Sequence, residues 1–489
     1  MSSHASATAP PRVERRPRFA DWPRVAVAVG LAGLVVAWLA DPLVGGDTGP
    51  LLTGTEQLGR CLGKLDLVSC DEAQPIDPFP VLQHAPDLVA DAGLELSRAG
   101  RTRVLGALSC LGVLGAIAAA FVALRRVGQA EWRWGFLVVA VSGPALAYGG
   151  ATWGEMLAAG LLTVFVAAAL VPARPVVVAA AAFGASLTKE TSYPFVVALG
   201  VLSLLLARRR LGRSIRSHVV GCLAGVALAL GLSSALNLLR FGSPRNVYYL
   251  DPGLRASDLR WFLEPAAGLF VSPNGGILVF WPLACLLVAA LLAVPVVRAM
   301  RGAATWREAW PALALGAIVL GLVVSLAWWW QPFGWWAWGP RLSLPWVLPV
   351  LLVALAAFGS TLRPAAARIL TPVTGLVAVS VVAVLVALPH VGYLWAPDTV
   401  GNFFFFHTTA VCPGGGPPPT PRYYDCLHEE MWARRPIWLD SLHGLRRAGG
   451  LATAMATALV VVGSLVLFRR ELEQRLLLPR AEVPYRQPP

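Results

Sequence analysis

Twelve stretches of the chain are apolar over about the length that crosses a bilayer: 24–40, 104–124, 134–154, 156–171, 172–188, 191–207, 218–236, 275–297, 309–327, 342–360, 371–389 and 450–468. A spanning helix needs ~20 apolar residues, about 17–25 in practice. The fifth stretch is marginal, because Pro172 and Pro175 stand at its start. A single soluble core stops growing beyond ~250–300 residues. This chain has 489 residues, 56% hydrophobic and only 14% charged, with a mean hydropathy of +0.64. Soluble chains carry about a quarter charged residues. The solvent is therefore a bilayer, and the fold class is an all-α polytopic membrane protein of about twelve transmembrane helices. A soluble enzyme, a disordered protein and a DNA-binding domain with a small anchor are excluded. A transporter and a membrane enzyme are not separated by composition.

The net charge of +13 suggests nucleic acid until its distribution is read. With the N-terminus inside, the connections alternate. The inside segments and their flanks hold 24 of the 40 Lys+Arg but 7 of the 27 Asp+Glu. Basic residues mark the cytoplasmic side. Arg125/Arg126, Arg208/Arg209/Arg210, Arg298/Arg301 and Arg469/Arg470 all fall inside on this count. The basic excess is a topology signal and a contact with anionic lipid, not a nucleic-acid signature.

The topology divides the chain into a polar, Pro- and Arg-rich cytoplasmic N-terminus (1–23), a transmembrane unit (24–468) and a cytoplasmic tail (469–489). A long first outer loop (41–103) and a long last outer loop (390–449) interrupt the unit. The segment 24–40 is read as a retained first helix, because bulky Trp38 stands where a signal-peptide cleavage site wants a small residue. Within the first loop, 86–98 is expected to form a helix lying at the membrane surface, opened by Pro86.

Cys110, Cys222 and Cys285 lie within spans and read as small apolar fillers. Cys61, Cys70, Cys412 and Cys426 lie in the two long outer loops, where an oxidising exterior permits disulfides. Three connectivities exist for four cysteines. The local pairs Cys61–Cys70 and Cys412–Cys426 are expected, since each closes a short loop. Five of the seven histidines lie outside, and their spacing fits no metal motif.

Four constellations carry chemistry, and all face outward. GGDTGP (45–50) places Asp47 just past the first helix, with Glu56 following. Such a carboxylate can act as a general base toward a hydroxyl, or it is simply a loop Asp in a Gly-rich turn. Glu155 in YGGATWGEM stands at a span boundary, where it is either functional or a helix N-terminal carboxylate complementing the dipole. LTKET (187–191) holds Lys189, one of only two lysines in the chain. Lys189 can meet a lipid phosphate as a compact charge, or pair with its neighbour Glu190. The segment 328–341 (WWWQPFGWWAWGPR) has six Trp and ends in Arg341. Trp328, Trp329 and Trp330 read as an interfacial belt. Trp335, Trp336 and Trp338, interleaved with Gly334, Gly339 and Pro340, read as a shaped loop whose aromatic faces suit a sugar ring. Arg341 suits a phosphate through bidentate hydrogen bonds. Arg245 in RFGSPRN, a further candidate contact to the donor phosphate, and the turn SPNGG (272–276) face the same outer side.

Together these residues resemble the GT-C superfamily of multi-spanning glycosyltransferases, over about 24–389. Asp47 stands for the acidic residue of the long first outer loop, Glu155 for a second catalytic carboxylate in the next outer turn, and Lys189 for the basic residue after the fifth span. The stretches GLFVSP (268–273) and WGPR (338–341) are similar to GLL.SP and W.WGPR patterns of bacterial members. One departure is that Asp47 is followed by Thr48 where many members carry an Asp-Glu pair, which leaves Asp41 as an alternative to Asp47.

The resemblance implies a sugar donor on a polyprenyl phosphate, an extracytoplasmic active site in a bacterial plasma membrane, and a glycan, glycolipid or protein acceptor. It implies that Asp47 deprotonates the acceptor hydroxyl, and that Lys189 and Arg341 stabilise the departing polyprenyl phosphate. No cofactor is required, though Glu155 leaves room for a divalent metal. Arg-rich, Lys-poor usage points to a high-GC bacterium and to an arabinose or mannose donor. The rivals are a twelve-span secondary transporter and a lipid-binding envelope-assembly protein. A transporter would show ionisable residues at mid-membrane, and the span interiors are nearly free of them.

Overall fold

The computed structural model describes residues 21–40, 42, 48–64, 81–188, 193–247, 255, 259–272, 275–329, 341–362, 425–426, 429, 432 and 448–477. Among these residues the architecture is all-helical, and the one β feature is an isolated antiparallel bridge between Arg255 and Trp329. Asp41, Asp47, Cys70, Lys189, Trp335, Trp336, Trp338, Cys412, the span expected at 371–389 and most of the last outer loop lie outside the described residues.

Six stretches are long and apolar enough to cross a membrane by length and composition: Trp22–Leu39, Arg98–Arg126, Tyr193–Leu239, Pro282–Met300, Trp306–Ala327 and Arg341–Leu362. In helices, the order is α1 (Trp22–Ala40), α2 (Thr48–Lys64), α3 (Val81–Leu88), α4 (Arg98–Arg126), α5 (Trp132–Val141), α6 (Ala145–Tyr148), α7 (Glu155–Leu170), α8 (Pro175–Ser186), α9 (Tyr193–Leu211) and α10 (Ile215–Phe241). Then follow α11 (Leu259–Val271), α12 (Ile277–Phe280), α13 (Pro282–Met300), α14 (Trp306–Ala327), α15 (344–362) and α16 (Ala448–Leu477).

Most of the apolar stretches appear where hydropathy places them, with three differences. The stretch 134–154 is not one helix. It breaks after Val141 at Ser142-Gly143-Pro144, gives only the short α6, and then turns into Glu155. Pro144 has no N–H to offer a continuing helix. The stretch 275–297 is split at Trp281, whose φ −137 and ψ 57 part α12 from α13 just before Pro282. Trp281 is fully buried and its Nε1–H donates to Val139 O at 2.8 Å, which joins this break to the end of α5. The third difference is the expected surface helix. Pro86 lies inside α3, a π turn follows (Val89–Gly93), and Ser97 caps α4 instead. The physical reason is that Asp87 and Asp91 both turn toward Arg101, so the segment folds onto the end of α4.

Helix α4 packs on α7, α7 on α8 and α9, α8 on α10, and α1 on α16. The α4–α7 crossing runs glycine to glycine. A side chain at Gly160 would strike the Gly112 carbonyl, and one at Gly112 would strike the Met156 carbonyl. Small residues let membrane helices approach this closely, and dispersion rather than hydrophobic expulsion then holds them. Helix α7 is apolar all round and mostly buried, while α1 and α10 leave Val25, Val29, Val220 and Leu223 exposed on one side. A helix that is apolar all round belongs in the middle of a bundle, and an exposed apolar stripe belongs against lipid. The core therefore sits around α4, α5, α7 and α15.

Candidate active site at one end of the bundle

Glu155 opens α7. Gly154 precedes it with φ 73, a left-handed conformation that glycine reaches without a steric cost. The backbone turns sharply there and delivers the carboxylate at a helix N-terminus, where the dipole favours negative charge. Arg341 opens the 3₁₀ turn that leads into α15. Its Nε–H donates to Glu155 Oε1 at 2.6 Å, and the two side chains are 6% and 10% exposed. The guanidinium also lies over the Trp153 ring, 4.8 Å from its centroid. Tyr148 packs against Trp153 in turn, with centroids 5.5 Å apart. Two residues 186 apart in sequence thus form one buried charge pair walled by aromatic rings.

The turn that presents Glu155 is held from three sides. Trp38, near the end of α1, donates Nε1–H to Leu146 O at 2.7 Å. Its ring leaves no room for a side chain at Gly149, whose Cβ would stand 2.5 Å from the indole. Ser109 on α4 donates to Ala151 O at 2.6 Å. Thr48 Oγ1 and Thr152 Oγ1 share a hydrogen bond of 2.6 Å, and both residues are buried. The residue that follows Asp47 in the chain is therefore bonded to the residue three before Glu155.

A second charge cluster stands on the same end. Arg101, 1% exposed, donates to both oxygens of Asp87 at 2.7 and 2.6 Å, to Glu56 Oε1 at 2.7 Å, to Asp91 Oδ1 at 3.0 Å and to Leu52 O at 2.9 Å. Arg98 closes on the two Glu56 oxygens at 3.1 and 3.0 Å. The Arg98 hydrogen bond holds the Glu56 carboxyl below its usual range; partial burial opposes it and the Arg101 hydrogen bond reinforces it. Thr55 Oγ1 bonds His84 Nδ1 at 2.9 Å beside this network. A buried guanidinium without partners is very costly, and with several carboxylate and carbonyl acceptors it becomes a fixed anchor. The anchor clamps α2 and α3 onto α4, and so sets where Thr48 begins α2.

Of the residues singled out by sequence, the structure brings Glu155 and Arg341 together. It makes them partners of each other, so the carboxylate assigned as catalytic holds the guanidinium assigned to phosphate. Arg245 is exposed on the loop after α10, its backbone N–H bonded to Ser243 Oγ at 3.3 Å, and no hydrogen bond or ion pair joins it to Glu155 or Arg341 among the described residues. Ser272 of the GLFVSP stretch is buried and accepts from the Gly275 N–H, shaping the turn into α12. Cys426 is disulfide-bonded; the expected pairing with Cys412, and the Cys61–Cys70 pairing, rest on side chains outside the described residues. Cys110, Cys222 and Cys285 are free. Among the described residues no group of three or more His, Cys, Asp and Glu gathers as a metal site would. Sequence reasoning missed Trp38, Trp153, Thr152 and Arg101. The signal available for Arg101 was an arginine at a span end with acidic residues fourteen and ten positions before it.

No protein-family model matches the chain, and no curated protein matches it. Two solved structures are similar to it in fold. The crystal structure of ArnT from Cupriavidus metallidurans in the apo state is 19% identical, with a TM-score of 0.48, over 94% of this chain and 78% of that one. The crystal structure of the same protein bound to undecaprenyl phosphate is 18% identical, with a TM-score of 0.47, over 93% of this chain and 78% of that one.

Proposed function

We propose that the chain is a membrane glycosyltransferase of GT-C type, which moves a sugar from a polyprenyl phosphate to an extracytoplasmic envelope acceptor. The observation that carries the reading is the Glu155–Arg341 pair under Trp153, on the bundle end where Thr48 is bonded to Thr152. That end collects an aromatic-walled guanidinium, a helix N-terminus and the turn that follows Asp47. Such a set suits an anionic leaving group and an aromatic-faced sugar. Among the described residues the other buried charged groups lie at helix ends as well, which favours an enzyme over a transporter with mid-membrane charges.

In this reading Asp47 takes the proton of an acceptor hydroxyl, whose oxygen forms a bond to the anomeric carbon. The bond from that carbon to the phosphate oxygen breaks with inversion, and the electron pair leaves with the polyprenyl phosphate. Arg341 and Lys189 stabilise that departing charge. Glu155 is a positioning residue: its carboxylate fixes the guanidinium through Nε, so the plane of Arg341 is set before the donor arrives. Trp335, Trp336 and Trp338 supply faces for the sugar, and Arg245 adds positive charge on the approach. The donor sugar is a pentose or hexose of the arabinose or mannose kind.

The test is transfer by purified full-length protein from a panel of radiolabelled polyprenyl-phosphate sugars to envelope glycan fragments. The expected result is release of polyprenyl phosphate coupled to labelled acceptor for one donor. Absence of transfer from every donor, with uptake of a solute by reconstituted vesicles, would make the transporter reading the better one.

A further inference from the structure

At the end of the bundle opposite Glu155, the described residues line an open cavity of about 690 Å³. Its rim carries Arg208 and Arg209 from the last turn of α9, Arg298 from α13 and Arg307 from the first turn of α14, against a single acid, Glu308. Its less exposed wall is apolar, with Leu206, Pro295 and Phe358. The position follows from α15. Arg341 lies at its start and Phe358 near its far end, about 25 Å away at 1.5 Å per residue.

None of the four arginines is in an ion pair among the described residues. Glu308 offsets one of the four charges at most, and its carboxylate accepts from Thr305 Oγ1 at 3.2 Å on its own turn. The rim is therefore a concentrated positive charge over an apolar floor. Of its lining, Leu205 and Trp310 are exposed, at 46% and 38%, and Leu313 outside it at 49%. These residues continue the floor onto the outer face of α9 and α14. A free anion would use the rim and leave the floor bare. A lipid uses both, with its phosphate among the guanidiniums and its chains along the exposed apolar face. Basic pockets between helices at a membrane surface take anionic head groups for this reason.

We propose that this cavity is a binding site for an anionic phospholipid of the leaflet at the basic end. The lipid would bridge α9, α13, α14 and the far end of α15. The inference does not depend on the sugar-transfer reading.

Native mass spectrometry of the full-length protein, released from membranes holding phosphatidylglycerol and phosphatidylcholine in equal amount, tests it. The wild type should retain phosphatidylglycerol about tenfold over phosphatidylcholine, and Arg298→Gln/Arg307→Gln should lose that preference. The charge-keeping pair Arg298→Lys/Arg307→Lys should retain most of it. Arg125→Gln/Arg126→Gln, a basic pair at the same end but outside the cavity, should behave as wild type. Should the glutamine pair fail to fold, Arg307→Gln alone carries the test, since that side chain is exposed. Equal retention of the two lipids, or of phosphatidylglycerol by wild type and glutamine variant alike, would overturn the site. So would an equal loss in the Arg125/Arg126 variant. Displacement of the lipid by millimolar inorganic phosphate would reassign the site to a free anion and overturn the lipid.

Discussion

Thr48 Oγ1 and Thr152 Oγ1 stand 2.6 Å apart, so the first turn of α2 and the turn that delivers Glu155 are one hydrogen-bonded unit. Asp47 directly precedes that link in the chain. On the proposed mechanism Asp47→Asn keeps size and hydrogen bonding but removes the proton acceptor. Turnover should fall by roughly 10²–10⁴ while donor binding survives. Single-turnover transfer measured beside equilibrium donor binding separates the two. Normal turnover in the variant would move the base to Asp41 or Glu155.

Arg341 and Glu155 should respond differently to substitution, because one would touch the donor and the other holds it in place. Arg341→Ala should lower turnover by roughly 10²–10³ and weaken donor binding. Glu155→Gln still accepts a hydrogen bond from Arg341 Nε, so its main effect should be on donor affinity, with a smaller loss of turnover. Glu155→Ala leaves a buried guanidinium without its carboxylate and should cost about 3–5 kcal/mol of stability. Thermal unfolding in detergent reads this; an unchanged midpoint would show that the pair does not anchor the turn.

The Arg101 cluster should matter to stability first. Asp87→Ala removes the acceptor of two short hydrogen bonds to a buried guanidinium and should destabilise by about 3–5 kcal/mol. Arg98→Ala, at an exposed position, should have a far smaller effect. Hydrogen exchange at the amides of α3 would report its release from α4 in the Asp87 variant and little change in the Arg98 variant.

Acid should loosen the contact of α2 with α4. The Glu56 carboxyl is held below its usual range, first by Arg98. A depressed carboxylate contributes stability that is fully present above its unfolded value, about 4.3, and is lost as pH falls through its lower folded value. The unfolding midpoint of the wild type should therefore drop faster than that of Glu56→Gln as pH falls below about 4.3, until the two curves meet. Parallel curves throughout would remove Glu56 from the account.

The spans were legible because hydropathy is additive along a chain, and α1, α4, α9, α10, α13 and α14 lie where apolar runs predict them. The break at Ser142-Gly143-Pro144 was not, because its neighbours are as apolar as a continuous helix requires. Only the contact with Trp281, from a segment far along the chain, shows why the helix stops. Glu155 and Arg341 stood out individually as charges at span ends. Their pairing was invisible, since nothing local relates positions 186 apart. Arg101 was counted as one more loop charge, because a sum over Lys and Arg does not distinguish an arginine facing water from one enclosed by three carboxylates.

Helix α7 has only 16 residues, about 24 Å of rise, against a hydrocarbon layer of about 30 Å. Its last turn is tied to the basic end, where Arg210 donates to Leu170 O at 3.2 Å and Arg126 to Pro172 O at 3.2 Å. On the proposed topology that end lies at one membrane surface, and a helix of this rise stops short of the other by about 6 Å. On that topology Glu155 and Arg341 lie below the water line. A reactant dissolved in water must descend to reach them, whereas one dissolved in lipid is already at their depth.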